Sequence, residues 1–290
     1  MRPPRPLVAL ATCAVLPVED EDARPLVDAL GRMGVDSRRL CWDDPGAQWD
    51  CYARVVVRST WDYVPRRDEF VAWASGVPRI ANAAAVLAWN TDKRYLVDLA
   101  AAGIPVVRTD WITPGAPFDP PAHEFVVKPS ISVGANDTAR YGTRVEDRAA
   151  ARLHVRAIHD SGRSAMVQPY LDAVERAGES TLVFLGGRYS HCVRKGPMLT
   201  NIGTSEVPAH QDIRSRTARS EEIALASRVV DAVGGIVAEA DPLLYARVDL
   251  LVDDGGVPKV LELEVTEPAL FLGYDHGAVD RFAEAIVATL

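Results

Sequence analysis

Four charged residues near the end of the chain have the types and the spacing of a site for magnesium and phosphate. They are Arg247, Asp249, Glu262 and Glu264. Three carboxylates on one face repel each other unless a cation lies among them. Ligand sets made only of oxygen select a hard ion such as Mg²⁺, which in turn binds phosphate oxygens. A solvated surface with one or two salt bridges would use the same residue types.

A β-hairpin is the element that would bring these side chains together. The runs 245–252 and 257–265 are rich in strand-favouring residues, and Gly255-Gly256 supplies the positive φ angles of a tight turn. If Asp254 pairs with Val257 across this turn, strand alternation places all four charged side chains on one face. The opposite face would carry Leu261, Leu263 and Val265. This alternation argues against a purely solvated hairpin.

Lys128 and the loop after it are candidates for phosphate binding. The apolar run 124–128 predicts a strand, and the small, polar segment 130–138 follows it. Backbone amides of such a loop, including those of Ser132 and Gly134, can fold over phosphates while the lysine supplies charge. The segment is not a Walker loop, because no Gly-x-x-x-x-Gly-Lys precedes a helix.

A second lysine, Lys93, lies in a predicted helix over 91–102 with Asn90 as its N-cap. The helix dipole disfavours a lysine in the first turn, so an anionic partner would explain its position. A strand is predicted to follow at 106–112.

The segment 165–171 is the candidate for binding a planar base. It contains Gln168-Pro169-Tyr170-Leu171, and Pro169 excludes a central-strand position. We therefore expect an edge strand or a linker whose free backbone groups contact the base.

The first ninety or so residues alternate strand and helix patterns and predict a small α/β lobe with a parallel sheet. The loop 58–63 follows the predicted strand 55–57. Since active groups gather beyond the carboxyl ends of such strands, the loop is predicted to face the substrate. Its candidate residues are Arg58, Ser59 and Asp62. The alternative is that Trp61 and Tyr63 only pack while Arg58 pairs with Asp62.

Composition excludes several classes of function. The 290 residues include 32 basic and 40 acidic side chains, with a net charge of −8 and no basic patch, so we expect neither a nucleic-acid binder nor a membrane binder. The four cysteines have no metal-site spacing, which favours a reducing cytoplasm. The run 7–16 is too short and too interrupted for a signal peptide, and no apolar run is long enough to span a membrane.

Taken in order, these motifs resemble the ATP-grasp superfamily. The set is Lys93, Val127-Lys128-Pro129, Gln168 to Leu171, Arg247-x-Asp249 and Glu262-x-Glu264. The D-alanine–D-alanine ligase pattern has an Asp, a Glu thirteen positions later and an Asn two further, and it holds two magnesium ions; here Glu264 replaces the Asn. The resemblance implies an α/β ATP-grasp fold with a parallel-sheet lobe at 1–88 and two lobes, 89–166 and 167–290, that clasp ATP.

The resemblance also implies roles for individual residues. Lys93 and Lys128 would contact the ATP phosphates, covered by the loop that includes Ser132 and Gly134. Gln168, Pro169, Tyr170 and Leu171 would bind adenine, and Glu175 would hold the ribose. Asp249, Glu262 and Glu264 would hold two Mg²⁺ ions. Arg247 would stabilise the transferring phosphoryl group with help from Lys195.

Within the superfamily, the segments 58–63, 190–197 and 261–272 resemble a bacterial group that includes D-cycloserine synthetase. This resemblance implies a cytoplasmic ligase that phosphorylates a small amino-acid-like carboxylate and forms a C–N bond within the same molecule. Three alternatives stay open: a ligase that joins two molecules, a kinase acting on an alcohol, and a nucleotide-binding protein without turnover. The sequence also leaves a homo-oligomer open.

Overall fold

A computed structural model describes residues 4–199, 212–238, 240 and 242–290 of the chain. The described residues form three β-sheets, one of four parallel strands and two that are antiparallel. No helix among them is long and apolar enough to cross a membrane.

The first sheet is parallel, as the sequence predicts. Its order is β2-β1-β3-β4, with β1 at Leu7–Thr12, β2 at Asp36–Cys41, β3 at Arg54–Ser59 and β4 at Ile80–Ala81. The helices of this part are α1 (Ala23–Arg32), α2 (Arg67–Gly76) and α3 (Ala84–Asn90). Leu26 and Leu30 of α1 share a core with Val8 and Val56 of the sheet.

The second sheet is antiparallel, in the order β5-β8-β6-β7. Helix α4 (Tyr95–Ala101) comes first, followed by β5 (Asp110–Ile112), β6 (Phe125–Pro129), β7 (Ala139–Tyr141), α5 (Val145–Asp160) and β8 (Ala165–Pro169). One face of α5 covers the sheet, because Ala151 and Val155 pack with Phe125 and Val127.

The third sheet is antiparallel, in the order β11-β10-β9-β12-β13. It contains β9 (Glu179–Leu185), β10 (Arg188–Lys195), β11 (Ile213–Arg216), β12 (Tyr245–Val252) and β13 (Pro258–Glu264). Its helices are α6 (Ala173–Ala177), α7 (Ser220–Ile236) and α8 (Ala278–Val287). Short 3-10 turns lie at Trp49–Cys51, Val64–Arg66 and Leu272–Tyr274.

Three local predictions were wrong. The helix predicted over 91–102 begins only at Tyr95, because Asn90 ends α3 and uses its side chain to bond Leu263 O and Val265 N. The strand predicted over 106–112 begins at Asp110, apart from an isolated bridge at Val106. Strand β8 lies inside its sheet; Pro169 is tolerated as its last residue, since β5 pairs only with 165–167.

The charged hairpin has the predicted pairs but a different turn. Arg247 lies opposite Glu264 and Asp249 opposite Glu262. The turn is closed by Asp253 N and Val257 O at 2.9 Å, one residue from the predicted pairing, and of the two turn glycines only Gly256 has positive φ. The register shifts between Asp249 and Leu250, where Leu261 is the extra residue on β13, and this bulge restores the predicted partners.

The domain division at 88/89 and 166/167 stays a prediction. The three sheets follow each other in the same order as the three predicted segments, and β8 runs across the boundary drawn at 166/167.

Candidate active site

A cavity of about 1070 Å³ lies where the three sheets meet, and most of the predicted site residues line it. Those that do are Lys93, Lys128, Ser132, Gly134, Gln168, Pro169, Tyr170, Leu171, Lys195, Arg247, Asp249, Glu262 and Glu264. Residues far apart in the sequence are therefore brought to the surface of one cavity, which carries both signs of charge.

Arg247 and Asp249 are locked together on β12. The Arg247 guanidinium donates to both carboxylate oxygens of Asp249, at 3.2 and 3.0 Å, and it also pairs with Glu264 across the hairpin. Lys195 at the end of β10 lies 2.9 Å from Asp249 and 2.9 Å from Glu179. Burial disfavours the charge on Asp249, but Arg247 and Lys195 outweigh it and lower the pKa of that carboxyl group.

Lys93 joins the hairpin to the loop after β6. Its ammonium group lies 3.0 Å from Glu262 and donates to Ser132 O at 2.8 Å and to Ser132 Oγ at 3.2 Å. Burial opposes ionisation of Glu262, yet the charges of Lys93 and Lys128 prevail and lower its pKa. Lys93 precedes α4 rather than lying in its first turn, so the helix dipole does not explain its position.

Glu264 has the opposite titration behaviour. Burial raises its pKa to about 7, with the charges of Glu262 and Asp249 adding to the increase and Arg247 opposing it. The three carboxyl groups of the hairpin therefore differ, with lowered pKa values for Asp249 and Glu262 and a raised one for Glu264.

Lys128 is buried at the cavity, with 7% of its surface exposed. We find no ion-pair partner for it among the residues that the structure describes. Burial lowers the pKa of Lys128, although the charge of Glu262 opposes this. An ammonium group in this position is suited to an anionic ligand.

The loop after β6 covers one side of the cavity. It contains three residues at positive φ, Gly134, Ala135 and Asp137, which fold it back on itself. Its amides at Asn136 and Thr138 bond Val133 O and Ala135 O. The lining positions Ser132 and Gly134 are those predicted from the sequence.

The predicted base-binding segment lines the cavity, but the predicted ribose ligand does not. Gln168 is buried and donates to Thr109 Oγ1 at 2.8 Å, and Tyr170 N bonds Glu124 O at 2.9 Å. Glu175 lies outside the cavity, where it accepts from Tyr170 and Arg140. The acid that does line the cavity on this side is Glu179.

The three residues predicted to contact substrate are not in the cavity lining. Arg58 points into the core against Tyr245 and Phe282, and it donates to Pro268 O. Ser59 bonds Thr12. Asp62 accepts from Trp42 and Arg66. Arg58 and Ser59 still belong to β3, so they continue its packing.

Residues that the sequence reasoning did not select also line the cavity. They include Asp20, Trp61, Tyr63, Glu179, Glu267 and Phe271. A signal was present for two of them. Glu179 lies opposite Lys195 in the β9–β10 register, and Glu267 is a further acid just after the charged hairpin.

The donor chemistry of the hairpin suits Mg²⁺, since three carboxylates reach one cavity and offer only oxygen. Each of these carboxylates is paired with a lysine or an arginine. In the described ranges, no group of three or more His, Cys, Asp or Glu side chains is arranged to hold a metal ion. Phosphate groups in the cavity would compete for those cations and leave the carboxylates available to a metal.

Comparison with known proteins gives consistent results. A family model described as the N-terminal domain of D-cycloserine synthetase DcsG matches residues 8–85. The cycloserine biosynthesis protein DcsG of Streptomyces lavendulae is 36% identical over 98% of this chain and 99% of its own length. A crystal structure of D-cycloserine synthetase DcsG has a TM-score of 0.89 at 35% identity, covering 97% of this chain and 99% of the other.

A more distant structure shares the fold. D-alanine–D-alanine ligase from Bacillus anthracis, complexed with ATP, has a TM-score of 0.66 at 13% identity and covers 98% of this chain and 96% of its own. The ATP-grasp fold expected from the ordered motifs is confirmed, as is the resemblance to the group that includes D-cycloserine synthetase.

Proposed function

This chain belongs to the D-cycloserine synthetase family of ATP-dependent ligases, which form carbon–nitrogen bonds, and we propose that it closes an amino-acid-like carboxylate onto a nitrogen of the same molecule. One observation carries the proposal. Four cations from separate parts of the chain converge on one cavity with the three carboxylates of the charged hairpin. The full-length similarity to a cycloserine biosynthesis protein supports the choice of an intramolecular reaction.

The chemistry needs an activated carboxylate. A carboxylate resists attack by nitrogen because its carbonyl carbon is electron-rich and oxide is a poor leaving group. Transfer of a phosphoryl group from ATP gives an acyl phosphate, and the nitrogen then displaces phosphate and forms the C–N bond. Positioning and charge neutralisation supply most of the catalysis in such transfers.

The site residues divide between nucleotide binding and the transfer itself. Lys93, Lys128 and the loop at 130–138 would bind the phosphates, and the segment 168–171 would bind adenine. Arg247 and Lys195 would stabilise the charge that develops on the transferring group. Asp249, Glu262 and Glu264 would hold Mg²⁺. The metal would neutralise phosphate charge when bound with ATP.

The substrate we propose is O-ureido-D-serine, which D-cycloserine synthetase closes into a ring. We also infer a cytoplasmic location, supported by the need for ATP and by cysteines that are free throughout.

Phosphate release tests the proposal. Purified protein would be supplied with ATP, Mg²⁺ and a panel of amino-acid-like carboxylates that includes O-ureido-D-serine, with and without added amines. We expect release with O-ureido-D-serine alone, and a product lighter by at least the elements of water.

Two other outcomes would change the assignment. Release that occurs only with an added amine would indicate a ligase that joins two molecules. A phosphorylated product without inorganic phosphate would indicate a kinase.

A further inference from the structure

Glu267 is a buried acid at the cavity that lacks the cation its neighbours have. It is 9% exposed, lines the cavity, and its Oε2 atom has no hydrogen-bond partner. The acids of the charged hairpin and Glu179 are paired: Glu262 with Lys93, Asp249 and Glu264 with Arg247, and Glu179 with Lys195. Within the described part of the chain, no lysine, arginine or histidine forms an ion pair with Glu267.

The position of Glu267 is fixed from the first lobe. Its backbone carbonyl accepts a hydrogen bond from Trp61 Nε1 at 3.0 Å, and the next carbonyl, Pro268 O, accepts from Arg58 at 3.2 Å. Arg58 lies in β3, and Trp61 lies just after it. The backbone of Glu267 is therefore held in place, and its Oε2 atom is buried without a hydrogen-bond partner.

Glu267 also lies against the first lobe. Trp61, which bonds its backbone carbonyl, and Tyr63 line the cavity with Glu267. Burial, together with the charge of Glu264, raises the pKa of Glu267 to about 8. A buried carboxyl group without a cation is costly to ionise, and a ligand that brings an ammonium group would remove that cost.

We propose that Glu267 binds the α-ammonium group of the substrate at the end of the cavity formed by the first lobe. This rests on the proposed function, because it assigns a residue to the recognition of that ligase's substrate. A charge-assisted N–H···O bond to Oε2 satisfies a buried carboxylate oxygen of the cavity that has no partner. The same contact sets specificity, since a carboxylate substrate without an amino group leaves Oε2 unsatisfied.

The test compares O-ureido-D-serine with an analogue in which hydrogen replaces the α-ammonium group. Phosphate release with both compounds would be measured for the wild type, Glu267→Gln and Glu284→Gln, an exposed acid on α8 as the matched control. For the wild type and the control we expect the analogue to have a kcat/KM about a hundredfold lower. For Glu267→Gln, KM for O-ureido-D-serine should rise by a similar factor, and the preference for it should shrink below about tenfold.

Nucleotide affinity separates this role from a structural one. We expect Glu267→Gln to bind a non-hydrolysable ATP analogue as the wild type does. A lower kcat for both compounds with an unchanged preference would overturn the proposal, because it would place the carboxylate in proton transfer or in packing.

A wild type that turns over neither compound would count against the proposed function. Calorimetry then tests the subsite by itself, with O-ureido-D-serine titrated into protein saturated with the ATP analogue. Binding that is lost in Glu267→Gln supports the subsite. Equal binding by both proteins, or binding by neither, overturns it.

Discussion

At the residue level, Lys128 is expected to affect stability and ligand binding in opposite directions. Its buried ammonium group has a lowered pKa, so folding disfavours the charge, while the same charge faces the cavity where phosphates are proposed to bind. Lys128→Met keeps the length and removes the charge. We expect the ligand-free protein to gain about 1 kcal/mol of stability, and ATP binding to weaken by about 1.5–3 kcal/mol, roughly tenfold to a hundredfold.

Urea unfolding without nucleotide and calorimetry with a non-hydrolysable ATP analogue would measure the two effects of Lys128→Met. An unchanged affinity would remove Lys128 from the nucleotide site, whatever happens to stability.

Glu262 tests the proposed metal ligands. Glu262→Gln keeps the size of the side chain but removes a charge that pairs with Lys93 at 3.0 Å. We expect ATP turnover to fall about a hundredfold or more, with a higher Mg²⁺ concentration needed for half-maximal rate and an unchanged circular dichroism spectrum. Normal turnover at ordinary Mg²⁺ would contradict the assignment, and Glu284→Gln is again the control.

Glu267 should make stability depend on pH. Its pKa in the folded protein is raised to about 8 by burial first and by Glu264 second, while Lys93, Tyr63 and Arg247 oppose the increase. The folded state therefore keeps a proton that the unfolded state releases near pH 4.5. The stability that Glu267 contributes in this way is complete below that pH and is lost as the pH rises through about 8.

Glutamine resembles the protonated acid, so Glu267→Gln should lack this loss. The difference in free energy of unfolding between Glu267→Gln and the wild type should grow by about 1.4 kcal/mol, in favour of the variant, for each pH unit in that window. Urea unfolding of the ligand-free proteins at pH 5, 6.5 and 8 would measure the difference. A difference that stays constant with pH would contradict the raised pKa.

At the level of elements, the loop after β6 depends on one glycine. Gly134 has φ of +64° and open space where a Cβ would lie, so Gly134→Ala would strain only the backbone. The left-handed conformation costs a non-glycine residue about 1–2 kcal/mol. We expect ATP affinity to fall about fivefold or more, because the loop that covers the cavity would favour other conformations.

The matched control is Gly34→Ala. Gly34 follows α1, outside the cavity lining, with φ of +81° and similarly open space. Gly34→Ala should lower the midpoint of thermal unfolding without changing ATP affinity. Equal effects of the two substitutions on affinity would contradict a specific role for the loop.

The elements also show which features the sequence could predict. The common face of the charged side chains was predictable because alternation depends only on the period of the strand, whereas the facing pairs agree because the bulge offsets the one-residue shift in the turn. The bulge at Leu261 was not predictable, since no residue type demands it, and it places Leu261 at the cavity rather than on the apolar face. For β8, Pro169 indicated an edge, but the partner strand β5 is short enough to end before it.

The site residues likewise divide into those that the sequence could predict and those that it could not. Lysines and acids with fixed spacing could be selected because their chemistry is visible in the sequence. Arg58 was selected because it follows a predicted strand, and Glu175 because the resemblance implied it. The extra length of β3 and the short helix α6 direct them elsewhere. Tertiary contacts such as the Trp61 bond to Glu267 O have no local signal.

At the level of the whole molecule, the first lobe and the third sheet are joined by one core and by polar contacts. Leu26 and Leu30 of α1 share a hydrophobic cluster with Phe282 and Ile286 of α8. Asp22 accepts bonds from Leu270 N and Leu272 N, at 2.9 and 2.8 Å. The two parts should therefore unfold together, since neither buries this surface alone.

Asn82 is the contact that tests this joint unfolding. Its side chain donates to Tyr245 O and Val265 O and accepts from Leu244 N, all buried, and its φ is +57°. Asn82→Ala would leave three backbone groups without partners and force alanine into the left-handed region, so we expect a loss of about 3 kcal/mol or more. Asn82→Gly removes the same bonds without that backbone strain, so it should lose about 1 kcal/mol less.

Urea unfolding followed by tryptophan fluorescence and by circular dichroism should give one shared transition for each variant. Two separate transitions, or wild-type stability in both variants, would show that the lobes are not joined through Asn82.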